Sequence, residues 1–535
     1  MPTRRTKKSA RHIYENFYDG ASDEPNELQI WAYSDRLSYQ PGQRLELHVN
    51  TTAQTYSIEI FRDAAVIEER YTESDLPGTY HATPQDCSTN GCDWPVGWRF
   101  DIPEDWCSGV YLMILRASAG QEMVVYEHMF VLRCAQNRTA APIVLVCATG
   151  TWVAYNDWGG ANSYKGFEGP RADQFSPILS TQRPWARGFC MLPNGAPRTV
   201  PDKPLPAGTM TRYPYKEWAY ANGYSIKFAS AGWATYERHF AVWAEANGFA
   251  IDVIALHDLH TDPDLLKRYR CAVFVGHDEY WSWEMRDAVD AFVDKGGNAA
   301  RFAGNFLWQI RLLDDGQTQA CYKYIARTHD PVMGTVDERR ATNAWEAPEV
   351  DRPGASTFGV NATRGIYANM GHCVPRGSGG FTMYRPEHWA FQNAHLSYGD
   401  ILGGDSRIFG YEVDGLNYTI TNGLPYPTHE EVVPEGLTVL AMGLATNTEA
   451  DFDLWGEELY IDDLDCAFIA ETLHGVDTPE TRDKVTRGNG MIVNFKRGAG
   501  EVFTAGTCEW VIGLTRKDAQ VEQVTRNVLT RFSAQ

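Results

Sequence analysis

The sequence lacks long apolar runs and is poor in positive charge. No apolar stretch of its 535 residues approaches the roughly 20 that a membrane-spanning helix requires. Lys and Arg total 48 against 69 Asp and Glu, a formal net charge of -21. Such a chain repels nucleic-acid phosphates and anionic lipid surfaces. We therefore expect a soluble protein that binds neither nucleic acid nor membrane.

Several motifs are also absent. The eleven cysteines are scattered, with no C-x-x-C pair and no Cys/His cluster of zinc-site spacing. There is no G-x-S-x-G, P-loop or G-x-G-x-x-G motif, which disfavours hydrolase-elbow, kinase and dinucleotide-binding interpretations. The basic N-terminus is not followed by the apolar segment of an export signal, so we expect an arm over 1–26, reduced thiols and a cytoplasmic protein.

Residues 27–136 have the pattern of an antiparallel β-domain. Short runs such as "RLELHVN" and "YSIEIFR" alternate apolar and polar residues and are separated by Pro, Gly, Asp and Asn. Alternation of this kind is typical of sheets with one buried and one solvated face. We interpret this region as an immunoglobulin-like sandwich, joined by the linker "CAQNRTAAP" to the rest of the chain.

Residues 142–535 have a different pattern. The continuous apolar run "IVLVCAT" is typical of a parallel strand covered on both faces. The segments "FAIDVIAL", "CAVFVG" and "NAARFAG" alternate with predicted helices, among them a short helix over "DPDLLKRYR", and this rhythm predicts a doubly wound α/β domain. Residues 311–440, rich in Gly, Pro and Asn, are predicted to form a loop-rich insertion. A hairpin on "KRGAG" and a helix over about 517–532 are predicted to follow.

Polar and aromatic residues follow three of the predicted strands, in "TGTWVAYNDWGG", "GHDEYWS" and "GNFLWQ". Ligands bind parallel sheets at the carboxyl ends of strands, so we expect these loops to converge and to present His277, Asp278, Glu279 and Tyr280. The alternative is structural: Asp278 would cap the next helix, His277 would be a satisfied core histidine, and Tyr280 and Trp281 would pack under a loop.

The turn "FAGNFLW" lacks the G-x-C-x-G nucleophile common in such sheets. It offers Asn305 instead, an amide that can stabilise an oxyanion but cannot attack. Cys147 and Cys508 are predicted to be small buried packing residues. Four tryptophans suggest an apolar pocket wall, with core packing as the alternative for each: Trp152, Trp158, Trp281 and Trp308.

Six motifs together resemble a known family: "TWVAYNDWGG", "DLHTDPDLL", "GHDEYWS", "GGNAARFAGNFLWQIR", "CYK" and "GYEVDG". In this order they are similar to the large (β) subunit of N,N-dimethylformamidase, from about Pro142 to the C-terminus. The resemblance implies a class I glutamine amidotransferase-like α/β domain. It also implies an amidohydrolase of linear amides that uses mononuclear iron bound by two tyrosines and a glutamate.

The resemblance assigns roles by motif. Tyr155 of A-Y-N and Glu279 of G-H-D-E-Y-W correspond to metal ligands. The catalytic shell corresponds to His277, Asn305, Lys323 and Glu412. Phenolate and carboxylate oxygens are hard donors that favour iron over zinc or copper. With such an ion, Asn305 and Lys323 would stabilise an oxyanion, Glu412 would act as base or nucleophile, and His277 would move protons.

The second tyrosine ligand is not identified. Trp185 in "QRPWARGF" occupies the place where relatives carry another aromatic, and indole does not bind a metal in that way. Tyr213 and Tyr215 are alternative ligands from a nearby loop. The expected substrate is a small-molecule amide, and a homo-oligomer and a small partner subunit both stay open.

Two other functions compete with this one. The first is a metal-free hydrolase on the same scaffold, using His277 and carboxylates. The second is a non-catalytic binding module, in which Lys323 is a surface cation and Glu412 a carboxylate at a strand edge.

Overall fold

The computed structural model describes residues 3–4, 17–167, 175–200, 214–365, 379–428, 432–446, 448–451, 457–460 and 464–534. The strands of the N-terminal part are β1 (Thr3–Arg4), β2 (Phe17–Tyr18), β3 (Ile30–Ser34), β4 (Ser38–Tyr39), β5 (Arg44–Thr51), β6 (Thr55–Asp63), β7 (Glu68–Pro77), β8 (Val96–Asp101), β9 (Gly109–Ala119) and β10 (Glu122–Leu132). Those that follow are β11 (Ile143–Cys147), β12 (Ile178–Ser180), β13 (Ile251–Ala255), β14 (Cys271–His277), β15 (Tyr280–Ser282), β16 (Asn298–Gly304), β17 (Trp308–Leu313), β18 (Thr318–Ala320), β19 (Phe381–Met383), β20 (Ile401–Leu402), β21 (Tyr418–Thr421), β22 (Leu424–Pro427), β23 (Thr438–Thr446), β24 (Thr448–Asp451), β25 (Glu457–Tyr460), β26 (Arg487–Arg497) and β27 (Gly500–Ala505).

The α-helices of the described residues are mostly short. They are α1 (Cys87–Asn90), α2 (Thr149–Tyr155), α3 (Pro214–Asn222), α4 (Glu237–Ala246), α5 (Leu256–Thr261), α6 (Trp283–Asp294), α7 (Ala326–His329), α8 (Ala355–Phe358), α9 (Leu464–His474), α10 (Pro479–Lys484), α11 (Trp510–Thr515) and α12 (Ala519–Ser533). The segment "DPDLLKRYR", predicted to be a short helix, forms only a 3₁₀ turn over Leu265–Arg268. The predicted C-terminal helix begins at Ala519 because the Asp518 carboxylate caps it by accepting from two backbone N–H groups.

The N-terminal part contains two sheets of mainly antiparallel strands. One has the order β3-β5-β8 and the other the order β4-β10-β9-β6-β7, in which only β4 pairs in parallel. Along the first half of β6, exposed or half-buried residues alternate with buried ones. One face of that sheet is therefore in the core and the other faces solvent.

The larger part is built on a nine-stranded sheet with the order β13-β11-β14-β16-β27-β26-β23-β19-β20. The first five strands pair in parallel and the remaining pairs are antiparallel. Every residue of β11, β13 and β14 is buried, which confirms the predicted parallel strands. Helices cover this region because such strands need apolar cover on both faces.

The order of the parallel strands reverses at β11. The chain passes from β11 to β13 on one side and then to β14 on the other. The loops that leave β11 and β14 therefore diverge and leave a crevice between them. Crevices of this kind are where open α/β sheets bind ligands.

The predicted insertion 311–440 contributes short strands. β17 and β18 join β12 and β15 in a four-stranded sheet, while β19 and β20 extend the edge of the nine-stranded sheet. β21 and β22 form a separate hairpin.

The two parts are joined by buried polar contacts. The Asp63 carboxylate accepts from the Trp233 indole and the Arg238 guanidinium, both at 2.7 Å. The Tyr126 hydroxyl donates to the Trp185 carbonyl at 3.1 Å and accepts from its N–H at 2.8 Å. The molecule is therefore multidomain and rich in β-sheet, with helices concentrated around the parallel strands. None of its described helices has the length and apolar character of a membrane span.

Candidate active site

The residues that follow β11, β14 and β16 meet in one buried cluster. Tyr155 ends α2, which follows β11, while His277 ends β14 and Asn305 follows β16. Gly276 immediately before His277 has φ of 77°, and a Cβ there would lie 2.3 Å from Cβ of Tyr236. Only glycine fits this backbone position, which turns the chain into the cluster.

His277 is at the centre of the cluster. Its Nδ1 lies 2.8 Å from the Ser230 carbonyl, which leaves Nε2 facing two carboxylates. Nε2 is 2.9 Å from Glu412 Oε2 and 3.3 Å from Glu279 Oε2. Burial alone would lower the pKa of His277, but the charge of Glu412 and hydrogen bonds to both carboxylates raise it to about 10. The imidazole is therefore protonated at neutral pH.

Glu279 is held by neutral donors as well. Its Oε1 accepts from the Trp308 indole at 2.7 Å, and the Tyr164 hydroxyl lies 2.9 Å from Oε1 and 2.7 Å from Oε2. Its backbone N–H donates to the Thr151 hydroxyl at 2.9 Å. Burial would raise the pKa of Glu279, but hydrogen bonding and charge from His277 lower it below its usual value. This carboxylate is ionised and rigidly placed.

Glu412 and Asn305 form the other side of the cluster. Asn305 Nδ2 donates to Glu412 Oε2 at 2.6 Å and lies 3.1 Å from His277 Nε2. Burial raises the pKa of Glu412 despite the opposing charge of His277. A carboxylate with a raised pKa, close to an imidazolium, has the properties of a general base.

Asp278 does not take part in the cluster, nor does it cap a helix. Its two oxygens accept from Arg301 at 2.8 and 2.6 Å, and Ser282 caps α6 instead. Arg301 also donates to Asp414 at 2.7 Å, and Asp414 Oδ1 accepts from the Asn305 N–H at 2.7 Å. Asp278 is therefore a positioning residue. It ties the loop of His277 and Glu279 to the loop of Asn305 through one buried guanidinium.

Two phenols complete the cluster. The Tyr155 ring lies 5.2 Å from the His277 ring and 4.4 Å from the Tyr164 ring. Burial, followed by the negative charge of Glu279, raises the pKa of both Tyr155 and Tyr164 well above the usual range. Tyr280 donates to the Tyr164 hydroxyl at 2.9 Å.

Sequence reasoning missed Tyr164. It lies in an irregular loop nine positions after Tyr155, where neither periodicity nor a strand end marks it. The residues that the sequence analysis considered for the second tyrosine lie away from the cluster or outside the described residues. Trp185 packs against Trp152 and Phe189, and Tyr215 against Phe228. Tyr213 lies outside the residues that the structure describes.

Two lysines approach the Tyr164 ring. Lys323 is fully buried, with Nζ 3.6 Å from the ring centroid and 3.2 Å from the Ser163 carbonyl, so it is not a surface cation. Its positive charge helps to lower the pKa of Glu279. Lys227 Nζ is 4.4 Å from the same centroid.

The four tryptophans are all buried, and their roles differ. Trp308 contacts Glu279 through its indole N–H, as described above. Trp281 packs among phenylalanine rings, and Trp158 packs against Trp31 and Trp94 of the N-terminal part. Trp152 donates to Glu237. Among the contacts of the described residues, Trp308 is the only one of these four tryptophans that touches the cluster.

A second donor group overlaps the cluster. His277, Glu412 and Cys508 each offer a ligand atom, and these atoms all lie within 4.8 Å of one another. All three residues are buried, as Cys147 is, so the prediction that both cysteines are buried is confirmed. Such a His/Glu/Cys group can hold a metal ion.

Glu237, the first residue of α4, is a buried carboxylic acid outside the cluster. Its Oε1 accepts from the Ala148 N–H at 2.9 Å and from the Trp152 indole at 3.1 Å. Its Oε2 has no hydrogen-bond partner among the described residues. Burial raises the pKa of Glu237 to about 8. The native state therefore holds a proton that the unfolded chain releases near its ordinary pKa, about 4.3.

Replacing Glu237 with glutamine should therefore stabilise the protein at alkaline pH. Wild-type stability falls as pH rises from about 4.5 to about 8, because over that window the unfolded state has lost a proton that the native state keeps. Glutamine resembles the protonated acid and does not titrate. We expect nearly equal urea-unfolding free energies near pH 4.5 and a gain on the order of 4 kcal/mol for the variant at pH 8. Parallel pH profiles for the two proteins would contradict this.

Comparisons with known proteins show which family the chain resembles. Residues 62–523 match the family model "N,N-dimethylformamidase beta subunit-like, C-terminal". The N,N-dimethylformamidase beta subunit of Paracoccus aminophilus is 25% identical over 319 residues, 55% of this chain and 36% of that relative. The corresponding subunit of an Alcaligenes species is 22% identical over 494 residues, 84% of this chain and 55% of that relative.

The chain thus spans only about a third to a half of the length of these relatives. One solved structure, a family 123 glycoside hydrolase from Clostridium perfringens, aligns with a TM-score of 0.09 and 7% identity over 51% of this chain and 72% of that one. A similarity this low supports no shared fold. The family model, in contrast, covers most of the chain, from the N-terminal sheets to the last helix. This chain belongs to the N,N-dimethylformamidase beta subunit-like family.

Proposed function

We propose that this protein hydrolyses the C–N bond of linear carboxylic amides, formamides among them. The observation that carries the proposal is the Glu279–His277–Glu412 arrangement. It places a protonated imidazole between two buried carboxylates, with the Asn305 amide in hydrogen-bond contact. This set contains an acid, a base and an oxyanion donor. It lies at the sheet edge where α/β proteins bind small ligands.

We further propose that Tyr155, Tyr164 and Glu279 bind a single iron ion. The donor chemistry fits, because all three offer hard oxygen atoms. The Tyr164 hydroxyl already lies within 2.9 Å of both Glu279 oxygens, so a cation would replace a proton shared by phenol and carboxylate. The Lys323 ammonium adds positive charge beside the same carboxylate. Iron bound there would act as a Lewis acid toward the amide carbonyl.

The residues of the cluster have complementary tasks in this proposal. Glu412 accepts a proton from the attacking water as its oxygen bonds to the carbonyl carbon. The side-chain amide of Asn305 and the ammonium group of Lys323 stabilise the oxyanion that forms. As the C–N bond breaks, His277 donates its Nε2 proton to the leaving amine. The products are a carboxylic acid and an amine, and the proton on Glu412 returns to His277 or to solvent.

Metal analysis and an amide panel test the proposal. The purified full chain should contain about one iron per chain and absorb visible light through tyrosinate-to-iron charge transfer. It should release amine from N-alkylformamides or N-acyl amines. Glu412→Gln should keep the colour and lose at least about 100-fold in turnover.

Each alternative has its own result. An active but colourless, iron-free preparation would remove iron from the proposal. Zinc in place of iron would favour the His277, Glu412 and Cys508 group, whose mixed donors suit zinc. Iron-loaded protein that releases no amine from any member of the panel would overturn the hydrolase and favour a binding module.

We also propose the finer architecture. The three- and five-stranded sheets support an immunoglobulin-like sandwich over 27–136. The parallel strands and the order reversal at β11 support a glutamine amidotransferase-like domain over 142–535. Because the relatives are named beta subunits, we propose that a smaller partner subunit joins this chain.

A further inference from the structure

Lys227 lies against the phenol rings of the cluster. It belongs to the segment between α3 and α4, and its Nζ is 4.4 Å from the Tyr164 ring centroid and 5.5 Å from that of Tyr155. Lys323 Nζ lies 3.6 Å from the Tyr164 centroid. Two ammonium groups therefore contact one ring. Unlike Lys323, Lys227 is only half buried, so it is within reach of solvent and of an entering ligand.

The charges around Lys227 are mainly positive, although the whole chain has a net charge of -21. Lys216, Lys165 and Lys323 carry the neighbouring positive charges, and Asp157 is the neighbouring negative one. However, its carboxylate already binds Lys165 at 2.9 Å and the Ser225 hydroxyl at 2.6 Å.

Lys227 has no ion-pair partner among the residues that the structure describes. Its recorded side-chain contacts are with the two phenol rings. The Lys227 Nζ lies over the faces of both phenol rings. A partly buried cation that has no ion-pair partner among the described residues favours an anionic ligand, because the ligand supplies the missing counter-charge.

We infer that the substrate amide carries a carboxylate, which binds Lys227 while the amide carbonyl lies at the Glu279 cluster. This inference rests on the proposed amide hydrolysis. The Tyr164 ring contacts Lys227 on its face and Glu279 through its hydroxyl, so the two groups lie one phenol ring apart. An N-acyl amino acid, whose amide and carboxylate are joined through one carbon, matches that spacing. Lys323 supplies further positive charge along the same ring.

A matched pair of substrates tests the inference. N-formylglycine carries the carboxylate, and N-formylglycinamide has nearly the same shape without the charge. We expect the wild-type kcat/KM to favour N-formylglycine by at least about tenfold at low ionic strength. Lys227→Gln should bring the ratio close to one, whereas Lys227→Arg should keep it. The control Lys267→Gln removes a surface lysine paired with Asp264 and should leave the ratio at the wild-type value. Circular dichroism shows whether each variant is folded.

Binding measurements separate failure of the inference from failure of the proposed function. The same two compounds are titrated calorimetrically into Glu412→Gln, with and without Lys227→Gln. Hydrolysis of both compounds with equal kcat/KM, and equal affinity for both, would overturn the carboxylate site and leave the hydrolase standing. No hydrolysis of either compound, with tighter binding of N-formylglycine that needs Lys227, would overturn the hydrolase and support the carboxylate site.

Discussion

Replacing Glu279 with glutamine should abolish metal binding and lower turnover by at least about 100-fold. Glutamine has the same size but no charge, and its NH₂ group must face one of the donors that Glu279 now accepts from, Tyr164 or Trp308. The variant also removes one of the two carboxylates that keep His277 protonated. Metal content and amine release, measured on the same preparation, check both effects.

Glu284→Gln is a matched control for that variant. Glu284 lies five positions further on, in the first turn of α6, where it pairs with Arg340 at the surface. This control should keep both metal and turnover, which separates the site carboxylate from a general loss of negative charge. A Glu279→Gln protein that still binds stoichiometric metal would exclude Glu279 as a ligand.

Replacing Arg301 with methionine should destabilise the protein by about 3–5 kcal/mol. Arg301 is fully buried between Asp278 and Asp414, and its loss leaves two carboxylates without a counter-charge. Because Asp414 also accepts from the Asn305 N–H, the turn that presents Asn305 should move, and turnover should fall further than stability alone predicts. Urea unfolding and amine release measure the two losses separately.

A combined variant tests whether uncompensated negative charge causes this loss of stability. Adding Asp278→Asn and Asp414→Asn to Arg301→Met removes the uncompensated charges, so much of the lost stability should return. Arg286→Met is the comparison, because Arg286 is equally buried but donates to neutral oxygens such as Thr357 Oγ1 and the Arg352 carbonyl. Its loss should not be relieved by the two asparagines. Equal recovery in both backgrounds would show that charge is not the cause.

The sequence predicted the elements around the site well, because strong local signals specify them. The apolar run of β11 predicted a strand covered on both faces, and the alternation with helices predicted strands at β14 and β16; all three strands form. Strand ends in parallel sheets meet at one edge, so the proximity of His277 and Asn305 followed from the pattern. The short helix predicted over "DPDLLKRYR" forms only a 3₁₀ turn, whereas an α-helix, α5, directly follows β13.

The details of the cluster depended on contacts that no local pattern records. Tyr164 lies in an irregular loop, and only the folded chain shows that its hydroxyl reaches Glu279. Asp278 is adjacent to His277 in sequence, yet its side chain binds Arg301, because neighbouring residues at a strand end point in opposite directions. Lys227 was not singled out by its sequence surroundings.

The sequence by itself determined the sheet, its parallel strands and the loops in which reactive side chains occur, because periodicity and apolar runs are local properties of the chain. Only the tertiary structure decided which phenol faces Glu279, which carboxylates keep His277 charged and which lysine lies over the Tyr164 ring beside Lys323. Hydrogen bonds and charge interactions depend on distances of a few ångströms between residues that are far apart along the chain, and those distances exist only in the folded state.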